Sequence, residues 1–163
     1  MKSTDKFLIG IVVGVILLVV VAFVVALAQP KPTYQSEDTP EGVAYNYLFA
    51  LQQEDYARAY SYLSSALRGY PPSAEKFTKS ITDNAWTFRR DGSPTLNVES
   101  ARVSSNRATI SMRERRFGGG GLFSSSEYTS SFEMQLVRES GRWKIESSQR
   151  YWLRCWDQTG GCQ

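Results

Sequence analysis

The sequence predicts a membrane-spanning helix followed by an α+β domain, in which three helices pack on an antiparallel sheet of about four strands. Three observations carry this. Residues 7–28 form an unbroken apolar run. Residues 40–86 carry apolar side chains at helical spacing, with cap and stop signals between them. After Pro94 the apolar period changes to two. The 163 residues leave room for one domain of roughly 100–200 residues and an appendage.

The apolar run reads FLIGIVVGVILLVVVAFVVALA. As a helix rising about 1.5 Å per residue it spans roughly 33 Å, enough for a hydrocarbon core of about 30 Å. Its many Val and Ile residues weaken a helix in water. In lipid the backbone must satisfy itself internally, so the segment is driven helical. Lys2 and Lys6 precede it and Lys31 follows, which by the positive-inside rule leaves residues 1–6 in the cytoplasm and exports the rest. A cleaved signal peptide competes with the anchor, because Ala26-Leu27-Ala28 fits the A-x-A cleavage pattern. The run exceeds the usual apolar region of ~7–15 residues, which favours the uncut anchor. No cysteine stands near Ala28 to accept a lipid. Both readings export residues 29–163.

Residues 29–39, QPKPTYQSEDT, read as a proline-rich linker. The domain is expected over 40–153. Thr39 is an N-cap, Pro40 the first helical residue and Glu41 an acid in the first turn, so a helix begins there and runs to about 53. Asp55 caps a second helix over 55–69, with Tyr56, Ala59, Tyr60, Leu63 and Leu67 on one face. Gly69 and Pro71-Pro72 stop it. Ser73 starts a third, over 73–86, with Phe77, Ile81 and Trp86 pointing roughly one way. Residues 91–94, DGSP, form a turn.

Leu96 and Val98 begin the sheet. Ser105-Asn106 turns the chain into Ala108, Ile110 and Met112. Tyr128, Ser130, Phe132, Met134 and Leu136 form the next alternating run, and Glu139-Ser140-Gly141 is a hairpin turn. A fourth strand opens at Arg142 and extends toward Trp152. Such alternation suits an antiparallel sheet with one covered face.

Two segments carry a family resemblance. EDYARAYSYLS, Glu54 to Ser64, and the late pattern of Val137, Gly141, Trp143 and Ile145 resemble the nuclear-transport-factor-two-like (SnoaL-like) superfamily, in particular its small membrane-anchored bacterial envelope members of unassigned function. The likeness covers residues 39–152. It implies a cone, in which a curved sheet wraps the helices and leaves a cavity at its open end. Members include enzymes and scaffolds alike, so the fold does not choose between them.

Composition narrows the chemistry. There is no histidine, which removes the commonest general base and every Ser-His-Asp arrangement. Two cysteines cannot by themselves build a structural zinc site. No metal or cofactor is expected. A net charge of +3 without a basic stripe argues against nucleic acid as a partner. No GxxxxGK[ST] phosphate loop occurs.

The remaining candidates are few. Asp83 and Glu99 are the carboxylates for an acid-base reading, with Tyr45 or Tyr128 as hydrogen-bond donors, although both acids stand among polar neighbours. Tyr45, Asp83, Trp86 and Tyr128 are the pocket candidates for a small apolar ligand. Arg113, Arg115, Arg116 and Phe117 lead into four glycines and then Leu122 and Phe123. This segment reads either as a contact arm for anionic lipid or an envelope protein, or as a solvated hairpin. Cys155 and Cys162 bracket WDQTGG in a tail over 154–163. In an exported chain they read as a disulfide whose loss frays the tail and spares the core. The expectation is a non-catalytic binding or scaffolding domain, held to the bilayer through residues 7–28. A small-molecule pocket protein is the alternative.

Overall fold

The computed structural model describes residues 3–28, 32–88, 94–119 and 125–162. The chain divides into two compact units, Met1–Thr33 and Tyr34–Gln163. The first contains helix α1, Ser3–Ala28. Its stretch Lys6–Val25 is long and apolar enough to cross a membrane. Large apolar side chains from Phe7 to Leu27 are exposed along it.

The second unit is α+β. Helix α2 (Pro40–Gln52) starts as its caps dictate, with Thr39 Oγ1 accepting from the Gly42 N–H at 3.1 Å. Asp55 caps α3 (Tyr56–Ser61) through the Arg58 N–H, and Ser73 caps α4 (Ala74–Asp83) through the Lys76 N–H. A short helix α5 (Ala85–Phe88) follows after a break at Asn84.

Strands β1 (Thr95–Ser104), β2 (Arg107–Gly119), β3 (Ser125–Glu139) and β4 (Arg142–Ser148) form an antiparallel meander in that order, a curved open sheet. The β3–β4 turn is two residues, Ser140 and Gly141, both with positive φ, the pattern that matches strand twist. The sheet's inner face and α2 enclose the core, which includes Tyr47, Leu48, Ile110, Met112, Met134, Leu136 and Ile145.

Several boundaries differ from the sequence expectation. The second helix stops at Ser61, eight residues early. Residues 62–64 instead lie beside β4, with Ile145 N–H donating to Tyr62 O at 2.8 Å and Ser64 N–H to Ile145 O at 2.9 Å. The backbone of an outer strand needs partners, and this pairing supplies them. The compact unit begins at Tyr34, inside the stretch read as linker. There the buried Asn46 side chain clasps the Gln35 backbone through both of its amide atoms.

The C-terminal segment is not peripheral. β4 ends at Ser148, and Trp152, Leu153 and Trp156 are buried, Trp156 completely. Trp156 stacks on Phe77 and meets Trp152 edge-on, with centroids 5.2 and 4.9 Å away. A 3-10 turn, Arg154–Asp157, places it there. Cys155 and Cys162 are bonded, with Cα atoms 5.1 Å apart.

Candidate functional site

The inner face of β2 begins apolar and ends polar. Ala108, Ile110, Met112, Glu114 and Arg116 share that face by period-two alternation. Their cross-strand neighbours on β3 are Leu136, Met134, Phe132, Ser130 and Tyr128. The core therefore gives way, along one face, to a charged and aromatic mouth.

Glu114 is the centre of that mouth and has no exposed surface. Arg116 donates to one carboxylate oxygen, as does the Tyr151 hydroxyl at 2.8 Å. Arg150 Nη1 donates to the other at 2.6 Å and also to Ser130 Oγ at 2.8 Å. Arg116 Nη2 reaches the Tyr151 oxygen at 3.1 Å, which closes the network. Burial alone would raise the Glu114 pKa, but the bonds from Tyr151, Arg116 and Arg150 outweigh it and hold the carboxyl below its ordinary range. Tyr151 is pushed up to about 12, by burial first and by the Glu114 bond second. The network is thus one carboxylate, two guanidiniums and a neutral phenol.

Tyr151 has φ +55, unusual for a bulky side chain. Two bonds fix it there. Tyr47 Oη, deep in the core, donates to the Tyr151 carbonyl at 2.8 Å, and the Tyr151 hydroxyl is committed to Glu114. Backbone strain of this kind persists only where the surroundings over-determine it.

A cleft of about 110 Å³ lies over the network, with Trp86, Gln149 and Trp152 among its walls. Trp86, one of the sequence candidates, is 75% exposed. Tyr128 is 63% exposed and pairs across strands with Arg116, so it flanks the same cluster. The other two pocket candidates stand elsewhere. Asp83 is exposed and ion-paired with Lys79 at 2.7 Å. Tyr45 stacks on Phe49 along α2. Glu99 is on the outer face, bonded to Ser131, Arg113 and Ser111, and these bonds hold its carboxyl below its ordinary range.

The arginines of the expected arm all have acidic partners. Arg113 pairs with Glu99, Arg115 with Glu127 at 2.8 Å, and Arg116 with Glu114. The β2–β3 pairing continues through Phe117 to Gly119, opposite Ser125. Leu122, Phe123 and the Phe117 side chain lie outside the described residues.

Sequence reasoning missed Glu114 as a site residue. Its position was readable: it has the same parity as Ala108, Ile110 and Met112, which puts it on the core face. Arg150 and Tyr151 carried no such signal, because they follow the last strand. Among the described residues, no group of three or more His, Cys, Asp or Glu is placed to hold a metal ion.

No protein-family model matches the chain. No curated protein matches it. Solved structures of loosely similar shape include a SEC-C motif containing protein from Rhodopseudomonas palustris, at 19% identity and TM-score 0.49, over 71% of this chain and 81% of that one. A candidate dehydratase of the NTF2-like family from Streptomyces avermitilis matches at 14% identity and TM-score 0.45, over 65% and 88%. The intermembrane space region of the chloroplast protein ARC6 matches at 15% identity and TM-score 0.36, over 73% and 98%.

Proposed function

We propose that the chain is a membrane-anchored, extracytoplasmic binding or scaffolding domain of the bacterial cell envelope, working by contact and not by turnover. The order of helices followed by a four-strand meander fits the nuclear-transport-factor-two-like superfamily that the sequence motifs resemble. One observation carries the functional reading. The buried acid at the mouth, Glu114, accepts from Arg116, Arg150 and Tyr151, and these bonds favour its ionised form. A general base works best with a pKa near the working pH, and the donors around Glu114 move its pKa the other way. The small-ligand alternative is less well supported at the mouth. A cleft of about 110 Å³ is well below the ~300–1,000 Å³ of ordinary ligand sites.

The contact surface is the mouth rim. Trp86 and Tyr128 are exposed aromatics beside the half-exposed Arg116 and Arg150, a combination enriched in protein interfaces. The partner is an envelope protein that covers these rings. Arg113, Arg115 and Arg116 are matched by acids, so they add little net charge to the rim.

The test is crosslinking in intact cells with a Trp86→Ala/Tyr128→Ala variant. Both side chains are exposed, so stability should change by less than about 0.5 kcal/mol per site. Crosslinked partners should fall at least ~10-fold, as for loss of an aromatic anchor. Unchanged partners in a stable double variant exclude the mouth as the contact.

A further inference from the structure

The two edges of the sheet are treated differently. On the β4 side, residues 62–64 pair with Ile145 and cover the edge. On the other side β1 pairs with β2, and among the described residues no other backbone group bonds to Thr95–Ser104. An open edge leaves alternate N–H and C=O groups facing outward, a template for another strand. Proline, lysine, a short strand or a covering loop usually blunts such an edge. β1 is ten residues long and contains neither proline nor lysine. Val103 stands on it with 55% of its surface exposed.

The pairing that β1 can accept is restricted by its one bulge, between Val98 and Ser100. Before it, Leu96 and Val98 oppose the inner-face residues Glu114 and Met112; after it, Ala101 and Val103 oppose Ile110 and Ala108. Asn97, Ser100, Arg102 and Ser104 therefore face outward, and so does Glu99, which bonds Ser111 and Ser131. An added antiparallel strand must match these faces, with one residue opposite the two of the bulge.

A second copy of β1 meets that condition with Ala101 on a two-fold axis. Arg102 then stands opposite the other copy's Glu99 and Ser100, Val103 opposite its Val98, and Ser104 opposite its Asn97. The symmetry makes each pair occur twice. Charge selects this register over its neighbours. An axis at Arg102 opposes two arginines, and an axis at the bulge brings two Glu99 carboxylates together. An axis at Val98 or Val103 parts Arg102 from Glu99. Within one chain Glu99 is already paired with Arg113, and Arg102 with Glu133. The two-fold pairing joins them into one row of alternating sign: Arg113, Glu99, then the other copy's Arg102 and Glu133.

We propose that β1 is a self-association edge, on which a second copy of this chain adds its own β1 antiparallel about Ala101, continuing the sheet across the dimer. The small side chain on the axis lets the strands approach, and the valine pairs cover the apolar surface left at the edge. This surface is separate from the mouth.

The test uses the full chain in detergent micelles, with Ala101→Cys as the reporter. Cys155 and Cys162 are bonded to each other, so the introduced thiol is the free one. Residues directly opposite in an antiparallel pair have Cα atoms about 4.5–5.5 Å apart, within the ~4.4–6.8 Å that a disulfide spans. Mild oxidation should therefore join two copies. Lys76→Cys, on α4, should give at least ~10-fold less joined product, because only the interface thiols are held at high effective concentration. Adding Val103→Lys or Arg102→Glu to Ala101→Cys should cut the product at least ~10-fold, by placing charge on the valine pair or like charges opposite each other. Both side chains are exposed, so the fold should survive either change. No joined copies at about 100 μM chain excludes a dimer of even that affinity and overturns the proposal. Equal yield from Lys76→Cys, as association through α1 or the mouth alone would give, overturns it too, as does a yield unmoved by Val103→Lys and Arg102→Glu. The same oxidation in intact cells identifies the occupant. A product of twice the chain's mass supports the second copy, and a mixed disulfide with a different protein overturns it.

Discussion

Glu114 and Tyr151 hold each other in states that neither adopts alone. The carboxylate has lost all contact with water, and three neighbours replace its hydration. Glu114→Gln keeps the shape but removes the counter-charge of Arg116 and Arg150. Breaking a fully buried pair costs about 3–5 kcal/mol; both arginines here are partly exposed, so about 2–3 kcal/mol is expected. Tyr151→Phe should cost about 1.5–3 kcal/mol, since the hydroxyl both donates to the Glu114 carboxylate and accepts from Arg116. The signs of the pH effects differ. The lowered Glu114 pKa gives stability that is present above the ordinary carboxylate range and is lost as pH falls through the folded value. Tyr151, raised to about 12, gives stability that is present below pH ~10 and is lost as pH rises to about 12. Urea midpoints measured against pH should show both limbs in the native chain. The acid limb should flatten in Glu114→Gln and the alkaline limb in Tyr151→Phe. Identical profiles in all three proteins would sink this account.

The elements were legible in the sequence where caps and periods agreed, and illegible where two structures bury the same residues. Thr39, Asp55 and Ser73 cap α2, α3 and α4 because each offers an oxygen to an otherwise unpaired N–H. The period-two runs after Pro94 became β1 to β4 with the expected inner face. Leu63 and Leu67, by contrast, are buried in a run of turns and one β-bridge, as they would also be on the inner face of a helix. Their spacing fits both, and only the need of β4 for a neighbour decides. The terminal segment misled for a related reason. No period marks residues 151–157, yet Trp156 fills the space between Phe77 and Trp152. The disulfide therefore supports a core residue. Replacing Cys155 and Cys162 by Ser removes a short loop closure worth about 2.5 kcal/mol in the chain-entropy model, or roughly 5–10 °C in Tm. The near-ultraviolet tryptophan signal should change with it, because Trp156 is adjacent to Cys155. Gly69→Ala should destabilise the same junction from the other side, since its Cβ meets Cys155 O at 2.0 Å. If neither variant lowers Tm, the segment is not held as described.

At the scale of the whole chain, two independent features point to one compartment. Helix α1 exposes an apolar surface that water tolerates poorly and lipid accepts. The domain carries a disulfide, which forms and persists outside the reducing cytosol. A cleaved signal peptide and an uncut anchor both satisfy these facts, so the distinction depends on the helix itself. Its apolar run is longer than the usual apolar region of a signal peptide, and the lysine bias across it would orient an anchor with the N-terminus inside. The expected outcome is a chain that stays with the membrane through alkaline carbonate washing. Protease added to intact spheroplasts should digest residues 34–163 and leave a protected fragment of a few kilodaltons containing residues 7–28. Changing Lys2 and Lys6 to Gln should weaken that orientation, with a share of the domain becoming protease-resistant inside the cell. In that inverted share Cys155 and Cys162 should be reduced, which ties topology to the bridge in a single alkylation experiment. A mature N-terminus at Gln29 excludes the anchor while leaving export intact. A domain protected from protease in the native chain, with both thiols free, removes the extracytoplasmic placement, and with it the envelope partner proposed for the mouth.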